Sequence, residues 1–184
     1  MNGVAWFLPG VVSSLVVGVI AASSIARAFG TSRVLAWLLA VSLGVILSAT
    51  VTPIDVALEG SGVGGRSCDV SRIGVLPLDQ FLSLRDASLN VALFVPLGWA
   101  TALIPNSSRK LLLILVVLAL PVGIEIVQLW VPILGRGCES ADVIDNLTGL
   151  ALGFAGATAV RALQAVRTAH RAGHDPVDGS LSQR

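Results

Sequence analysis

A carboxylate placed inside a long apolar run is the first candidate for chemistry in this sequence. Glu125 lies in the stretch GIEIVQLW, and Gln128 follows it three residues later. That spacing places both side chains on one face of a helix. An acidic group at the centre of a membrane helix costs roughly 2.5 to 3.5 kcal/mol, so such groups face protein or water and usually mark a function. Together they could bind a polar ligand, contribute to a cation site or assist hydrolysis.

Two further pairs of polar residues have a related spacing. Asp86 precedes Asn90 by four residues, and Asp142 precedes Asn146 by the same interval. Four residues are one helical turn, or about 6 Å, and Glu125 lies about 9 Å from the end of its own run. The side chains therefore share one depth. The predicted polar cluster consists of Asp86, Asn90, Glu125, Gln128, Asp142, Asp145 and Asn146, with Arg85 and Arg136 at its rim.

The composition indicates that a membrane surrounds these groups. The chain has 184 residues, of which 54% are hydrophobic and 12% charged, against roughly 25% charged in soluble domains. Its mean hydropathy is +0.86. A helix crosses the bilayer with about 20 apolar residues and satisfies its own backbone groups. We therefore predict an all-α transmembrane bundle of about five spans, at residues 1–27, 34–51, 86–108, 111–131 and 142–160.

Residues 1–160 are predicted to form the transmembrane domain, and 161–184 a cytoplasmic tail that is largely disordered after a short amphipathic extension. The first run lacks the basic start of a signal peptide and is long for one, so we interpret it as a retained anchor. His170 and His174 lie in the tail without partner ligands nearby, so they are expected to be solvated.

The charges predict the orientation of the helices. Basic residues occupy the two short connections and the tail: Arg27, Arg33, Arg109, Lys110, Arg161, Arg167, Arg171 and Arg184. Such residues favour the cytoplasmic side. The mixed-charge connections, 52–85 and 132–141, should then face outward. This places the amino terminus outside, the carboxyl terminus inside and the polar cluster beneath the outer surface.

Both cysteines fall in the connections predicted to face outward. Cys68 lies in GRSCD and Cys138 in GRGCE. An even number of cysteines in an oxidising compartment permits a disulfide, which we favour. The alternative is two unpaired thiols, which a cytosolic location would favour. The two flanks resemble each other, but five residues are too few to establish a repeat.

The polar residues could also serve only to hold helices together, at around 0.6 kcal/mol for each contact. Several ionisable groups at one depth are costly for that purpose, so a functional site is favoured. Gly149 and Gly153 share the face of Asp142 and Asn146, and such glycines let helices approach closely. The polar groups should therefore point into the bundle.

The sequence lacks the motifs of several nucleotide-binding and hydrolytic enzyme classes. The sequence contains no Walker loop, dinucleotide fingerprint, HExxH or nucleophile elbow. The oxygen ligands of Asp142, Asp145, Glu125 and Asn146 would suit calcium or magnesium, but no metal motif has their spacing. We expect no metal, no cofactor and no nucleic-acid partner.

Three segments together resemble the VanZ-like membrane proteins: DASLNVALFVPLG, GIEIVQ and GRGCESADVIDNLTGLALG. The family pattern is Asn before Phe-x-Pro-x-Gly, Glu with Gln three residues later, and Arg before Asp-x3-Asn-x2-Gly-x3-Gly. The matching positions are Asn90, Phe94, Pro96, Gly98, Glu125, Gln128, Arg136, Asp142, Asn146, Gly149 and Gly153. Members often carry Ser in the turn before the Glu, where this chain has Pro121 and Gly123.

The resemblance implies a multi-pass protein of the bacterial plasma membrane and cell envelope, in a family named for low-level resistance to teicoplanin. Two function classes remain open. The favoured one is a non-enzymatic protein whose outer pocket binds a membrane lipid, a cell-wall precursor or an amphiphilic antibiotic. The other is an enzyme or carrier that acts on such a lipid through its carboxylates. Small-residue faces allow both internal packing and dimerisation, which leaves the oligomeric state open.

Overall fold

A computed structural model describes residues 6–54, 67–75, 77 and 85–172. Within these residues the chain forms a bundle of α-helices, as predicted. The helices are α1 (Phe7–Phe29), α2 (Arg33–Thr50), α3 (Arg85–Leu103), α4 (Ser108–Trp130) and α5 (Ser140–Ala172). A 3-10 helix at Pro132–Leu134 and two short strands, β1 (Cys68–Asp69) and β2 (Cys138–Glu139), lie in the longer connections.

The helices fit a multi-pass membrane protein. Among the described residues, four helices are long and apolar enough to cross a bilayer, namely α1, α2, α4 and the part of α5 from Ser140 to His170. The apolar part of α3, Ala87–Leu103, is shorter. At 1.5 Å per residue it extends about 25 Å, against about 30 Å for a typical hydrocarbon core. The described residues therefore contain four candidate spans, against about five predicted from the sequence, and α3 is the helix that falls short.

Capping residues end and begin the helices at the two short connections. Gly30 adopts a left-handed conformation, with φ of 61°, and ends α1. The hydroxyl of Ser32 accepts a hydrogen bond from the Leu35 amide at the start of α2. Ser107 caps α4 in the same way. Side-chain oxygens at such positions satisfy amides that have no partner within the helix. The caps therefore set the turn of a helical hairpin between α1 and α2, which pack against each other, and mark the start of α4.

Helices α1 and α2 pack through glycines and serines. Gly10 of α1 lies against Ser48, and Gly44 of α2 lies against Ser14. Each serine hydroxyl donates to a carbonyl of its own helix, Ser14 to Gly10 and Ser48 to Gly44, both at 2.7 Å. Small residues let membrane helices approach closely. The hairpin therefore gains close packing without leaving these hydroxyls unpaired.

Helices α3 and α5 also make a close contact through glycine. A Cβ atom at Gly149 would collide with the carbonyl oxygen of Val91, and one at Gly153 with that of Val95. Gly98 of α3 lies in the same way against the backbone of α5. The close approach predicted from Gly149 and Gly153 is confirmed. Any larger side chain at these positions would separate the two helices.

The apolar core lies around α3, which packs against α2 and α5. Phe94 of α3 is fully buried, at 0% exposure. The buried apolar residues of this core are Leu39, Ile46, Phe94, Leu97, Ala100, Val117, Ile124 and Leu150. They come from α2, α3, α4 and α5, so one core joins four of the helices.

Basic side chains hold the helices together at the end with short connections. The Lys110 Nζ donates to the carbonyl oxygen of Ala102 at 2.9 Å. Arg161 donates to the carbonyls of Ala102 and Leu103 at 3.2 and 2.5 Å. Cations near the carboxyl end of a helix are stabilised by its dipole and satisfy its last carbonyls. Both side chains therefore cap α3.

The predicted tail begins as a helix. Residues 161–172 continue α5, and residues 161–170 are exposed. His170 lies on this exposed part of the helix. The disorder predicted beyond it concerns residues 173–184, including His174, which lie outside the described residues.

Candidate functional site

A disulfide joins the two long connections at the other end of the bundle. Cys68 and Cys138 are bonded, with their Cα atoms 4.5 Å apart, which confirms the predicted bridge. Strands β1 and β2 pair in parallel around it, and Asp69 lies opposite Glu139. The Cys-Asp and Cys-Glu dipeptides of the two similar segments therefore lie side by side.

An arginine that follows β1 forms a buried ion pair with α5. Arg72 Nη2 lies 2.5 Å from Asp145 Oδ2, and its Nη1 lies 3.1 Å from Oδ1. The Asp145 side chain is only 4% exposed, and that of Arg72 is 25% exposed. Arg72 also donates to the Ala141 carbonyl oxygen at 3.1 Å, and its own carbonyl accepts from the Ser140 hydroxyl at 2.7 Å. The bidentate ion pair and these hydrogen bonds attach the connection between α2 and α3 to the start of α5.

One residue from each of the two predicted Asp/Asn pairs takes part in a hydrogen bond between α3 and α5. The Asn90 Nδ2 donates to Asp142 Oδ1 at 2.7 Å. One turn further along α5, Asn146 is 2% exposed. Its Oδ1 has no hydrogen-bond partner among the described residues. The predicted members Arg85 and Asp86 begin α3, but their side chains lie outside what the structure describes.

Glu125 is buried inside the bundle, at 4% exposure. Its Oε2 accepts a hydrogen bond of 2.7 Å from the backbone amide of Glu139, in strand β2. Asp142, Glu139 and Arg136 lie within electrostatic range of its carboxyl group. The prediction that Glu125 faces protein rather than lipid agrees with this position. The carboxyl group ties α4 to the connection that carries the disulfide.

Gln128 and Arg136 contact the carboxyl end of α2. Gln128 Nε2 donates to the Thr50 carbonyl oxygen at 3.0 Å. Arg136 donates to the carbonyls of Ala49 and Thr52 at 2.7 and 3.4 Å. A guanidinium in this place complements the helix dipole. Burial lowers the pKa of Arg136, while the neighbouring carboxyl groups of α4 and α5 raise it.

A comparison with protein families identifies the chain. The family model described as VanZ/LLP1 matches residues 69–161, which is half of the sequence. The chain belongs to the VanZ/LLP1 family. No curated protein and no solved structure gives a match.

The VanZ/LLP1 match extends from β1 to the capping residue Arg161. It begins at Asp69, one residue after Cys68, so it includes Cys138, Arg72 and all of α3 and α4. The α1–α2 hairpin and Cys68 lie before it. Sequence reasoning missed Arg72 as a site residue because it is one of several charges in a long connection. Its position four residues after Cys68, combined with the predicted disulfide, was the available signal.

Five polar side chains of the described VanZ/LLP1 region bring carboxylate and carboxamide oxygens to this site. We use the name acceptor cluster for Asn90, Glu125, Gln128, Asp142 and Asn146. Of the arginine side chains that the structure describes here, Arg72 pairs with Asp145 and Arg136 donates to the end of α2. The carboxamide oxygens of Gln128 and Asn146 are buried and have no donor among the described residues. Such a set complements groups that donate hydrogen bonds, such as ammonium and hydroxyl.

In the described part of the chain, the side chains at this site are not arranged to coordinate a metal ion. No group of three or more His, Cys, Asp and Glu side chains there is arranged to hold one. Asp145, considered with Glu125 and Asp142 as a cation ligand, is engaged by Arg72 instead. The chemistry that these side chains offer is recognition of a polar, hydrogen-bond-donating group.

Proposed function

We propose that this VanZ/LLP1 protein binds the headgroup of an envelope amphiphile at the acceptor cluster. The observation that carries the proposal is that the carboxamide oxygens of Gln128 and Asn146, whose side chains are 5% and 2% exposed, have no hydrogen-bond partner among the described residues. A buried polar group without a partner costs about 1 to 3 kcal/mol. Groups that served only to hold helices together would be paired, as Asn90 and Asp142 are. A headgroup with N–H or O–H donors would supply the partners.

The proposal places the acceptor cluster in the extracytoplasmic half of the bacterial plasma membrane, with the amino terminus outside and the carboxyl terminus inside. Two observations support this orientation. Disulfides persist in oxidising compartments, and the Cys68–Cys138 bridge lies at the end that carries the cluster. Basic residues, which favour the cytoplasmic side, concentrate at the other end.

Reporter fusions test the orientation directly. A fusion at Ser61, in the first long connection, should report the periplasm or cell exterior. A fusion at Ser107, between α3 and α4, should report the cytoplasm. Reports from the same compartment would contradict the proposed topology.

The ligands considered from the sequence all carry hydrogen-bond donors on an otherwise apolar molecule. Amine-bearing phospholipids, lipid-linked wall precursors and amphiphilic glycopeptides each combine donor groups with an apolar part. A contribution to resistance against teicoplanin-type antibiotics would follow where the bound amphiphile is a wall precursor or the antibiotic itself.

Lipid binding by the purified protein tests the function. Three phospholipids with identical dioleoyl tails and ethanolamine, glycerol or choline headgroups serve as probes, since the choline headgroup has no N–H or O–H donor. We expect at least one donor headgroup to bind about tenfold more tightly than choline, a difference of about 1.4 kcal/mol. Native mass spectrometry of the protein with each lipid gives these affinities.

Two variants link the preference to the cluster. Glu125→Gln keeps the shape but removes a carboxylate oxygen, so it should abolish the headgroup preference at near-normal protein yield. Leu113→Ala changes an apolar residue nearer the basic end of the same helix and should keep the preference. Equal affinity of the wild type for all three lipids, or an unchanged preference in Glu125→Gln, would refute the proposal.

The second candidate is an enzyme or carrier acting on a lipid-linked substrate, and it rests on the proximity of the Glu125 and Asp142 carboxyl groups. Incubation of the purified protein with radiolabelled envelope lipids distinguishes it. A new labelled product that Glu125→Gln does not form would favour catalysis over binding.

A further inference from the structure

A large apolar cavity, open to the surface of the bundle, lies between α3, α4 and α5. Its volume is about 680 Å³, within the range of about 300 to 1,000 Å³ that is typical of ligand sites. Six of its wall residues are Gly98, Ile114, Val117, Leu147, Ala151 and Phe154. The cavity is thus large enough for a substantial apolar group.

The cavity lies on the side of the acceptor cluster that faces the basic end of the bundle. On α5 its wall runs from Leu147, directly after Asn146, to Thr158. This is about 16 Å at 1.5 Å per residue. On α4, Val117 lies eight residues before Glu125, or about 12 Å along the axis. Both residues belong to the buried face of α4. One pair of helices therefore presents polar groups at one end and an apolar cavity below them.

The walls of the cavity offer few polar contacts. The hydroxyl of Thr101 donates to the Leu97 carbonyl oxygen, and that of Thr158 to the Ala155 carbonyl oxygen, both at 2.8 Å. At the basic end, Lys110 Nζ lies 5.9 Å from the centre of the Phe154 ring. An occupant of this cavity would be held by apolar contact rather than by hydrogen bonds.

We infer that this cavity binds the acyl or prenyl tail of the same amphiphile whose donor-bearing headgroup occupies the acceptor cluster. The inference rests on the proposed function and adds the second half of the ligand. The acceptor cluster selects the occupant. Only a molecule that carries a hydrogen-bond donor at one end of an apolar chain can contact both the acceptor cluster and the cavity. Burial of apolar surface contributes about 25 cal/mol per Å², so affinity should depend on tail length as well as on headgroup.

Tail length is therefore the variable to test. The headgroup that binds best to the wild type is presented on dihexanoyl and on dioleoyl lipids, and binding of each is measured by native mass spectrometry. We expect the wild type to bind the long-chain form at least about tenfold more tightly. Ala151→Trp would fill the cavity and should remove this advantage while leaving affinity for the short-chain form unchanged.

Ala119→Trp is the matched control, since it adds the same side chain to an exposed position of α4 outside the cavity wall. It should keep the tail-length dependence. Ala155→Phe, also in the wall, provides a second cavity variant where Ala151→Trp fails to fold.

Three outcomes would overturn the inference. A cavity variant with wild-type dependence on tail length would mean that the tail binds elsewhere; the proposed function would still stand if Glu125→Gln loses the headgroup preference. Equal loss of both chain lengths would indicate distortion rather than a filled tail site. A dimer that the cavity variants dissociate would identify the cavity as a contact between two copies of the chain.

Discussion

Replacement of Arg72 by alanine should destabilise the protein more than its place in a connection would suggest. It leaves the Asp145 carboxylate, 4% exposed, without its ion-pair partner. Removal of one member of a buried pair costs about 3 to 5 kcal/mol. Because the Arg72 side chain is 25% exposed, water reduces this cost, so we expect about 3 kcal/mol. At about 2 to 4 °C per kcal/mol for a chain of this size, the melting temperature should fall by roughly 6 to 12 °C.

Thermal unfolding of the purified protein in detergent measures this change. Arg167→Ala, at an exposed position of α5, is the control and should melt like the wild type. Adding Asp145→Asn to Arg72→Ala should recover much of the loss, because an unpaired amide is less costly to bury than an unpaired charge. An Arg72→Ala melting temperature within about 2 °C of the wild type, or no recovery in the double variant, would show that the pair is not a main source of stability.

Two further predictions concern packing and the disulfide. Gly149→Ala would place a methyl group against the Val91 carbonyl oxygen and should lower the free energy of unfolding by about 1 to 3 kcal/mol. Gly123→Ala, which meets open space, should raise it by up to about 1 kcal/mol; equal unfolding curves for the two variants would contradict the close helix contact. Reduction of the Cys68–Cys138 bridge, which spans 70 residues, should remove up to about 4 kcal/mol. Unfolding curves with and without reductant give this value, and two alkylatable thiols in non-reduced protein would mean that the bridge does not form.

The bundle was predictable because apolar runs of sufficient length have few alternatives to helices in a membrane. Helix α4 was expected at 111–131 and occupies Ser108–Trp130. Helix α5 was expected to span 142–160, but the helix continues to Ala172. The segment from 161 to 172 mixes polar residues with alanine, leucine and valine, and it contains no proline or glycine. Apolar length predicts where a span ends, whereas helix propensity decides where the helix ends.

The candidate site was predictable where helical spacing alone sets the geometry. Asn90, Asp142 and Asn146 follow a four-residue interval on helices that pack closely, and the Asn90–Asp142 hydrogen bond results. The partners of Gln128 and Arg136 could not be predicted in this way. They are backbone carbonyls at the end of α2, and any residue type can supply a carbonyl oxygen.

The glycine contact between α3 and α5 joins two helices that are synthesised several seconds apart. Fifty residues separate Leu103, the end of α3, from Gly153. A ribosome adding about 5 to 20 residues per second needs roughly 3 to 10 seconds for that length. During this time Gly98 and Asn90 have been synthesised, but the helix that covers them has not. A short apolar helix must therefore remain in the membrane, beside the α1–α2 hairpin, until α4 and α5 emerge. Nascent chains stopped before α5 should be the ones that membrane proteases recognise.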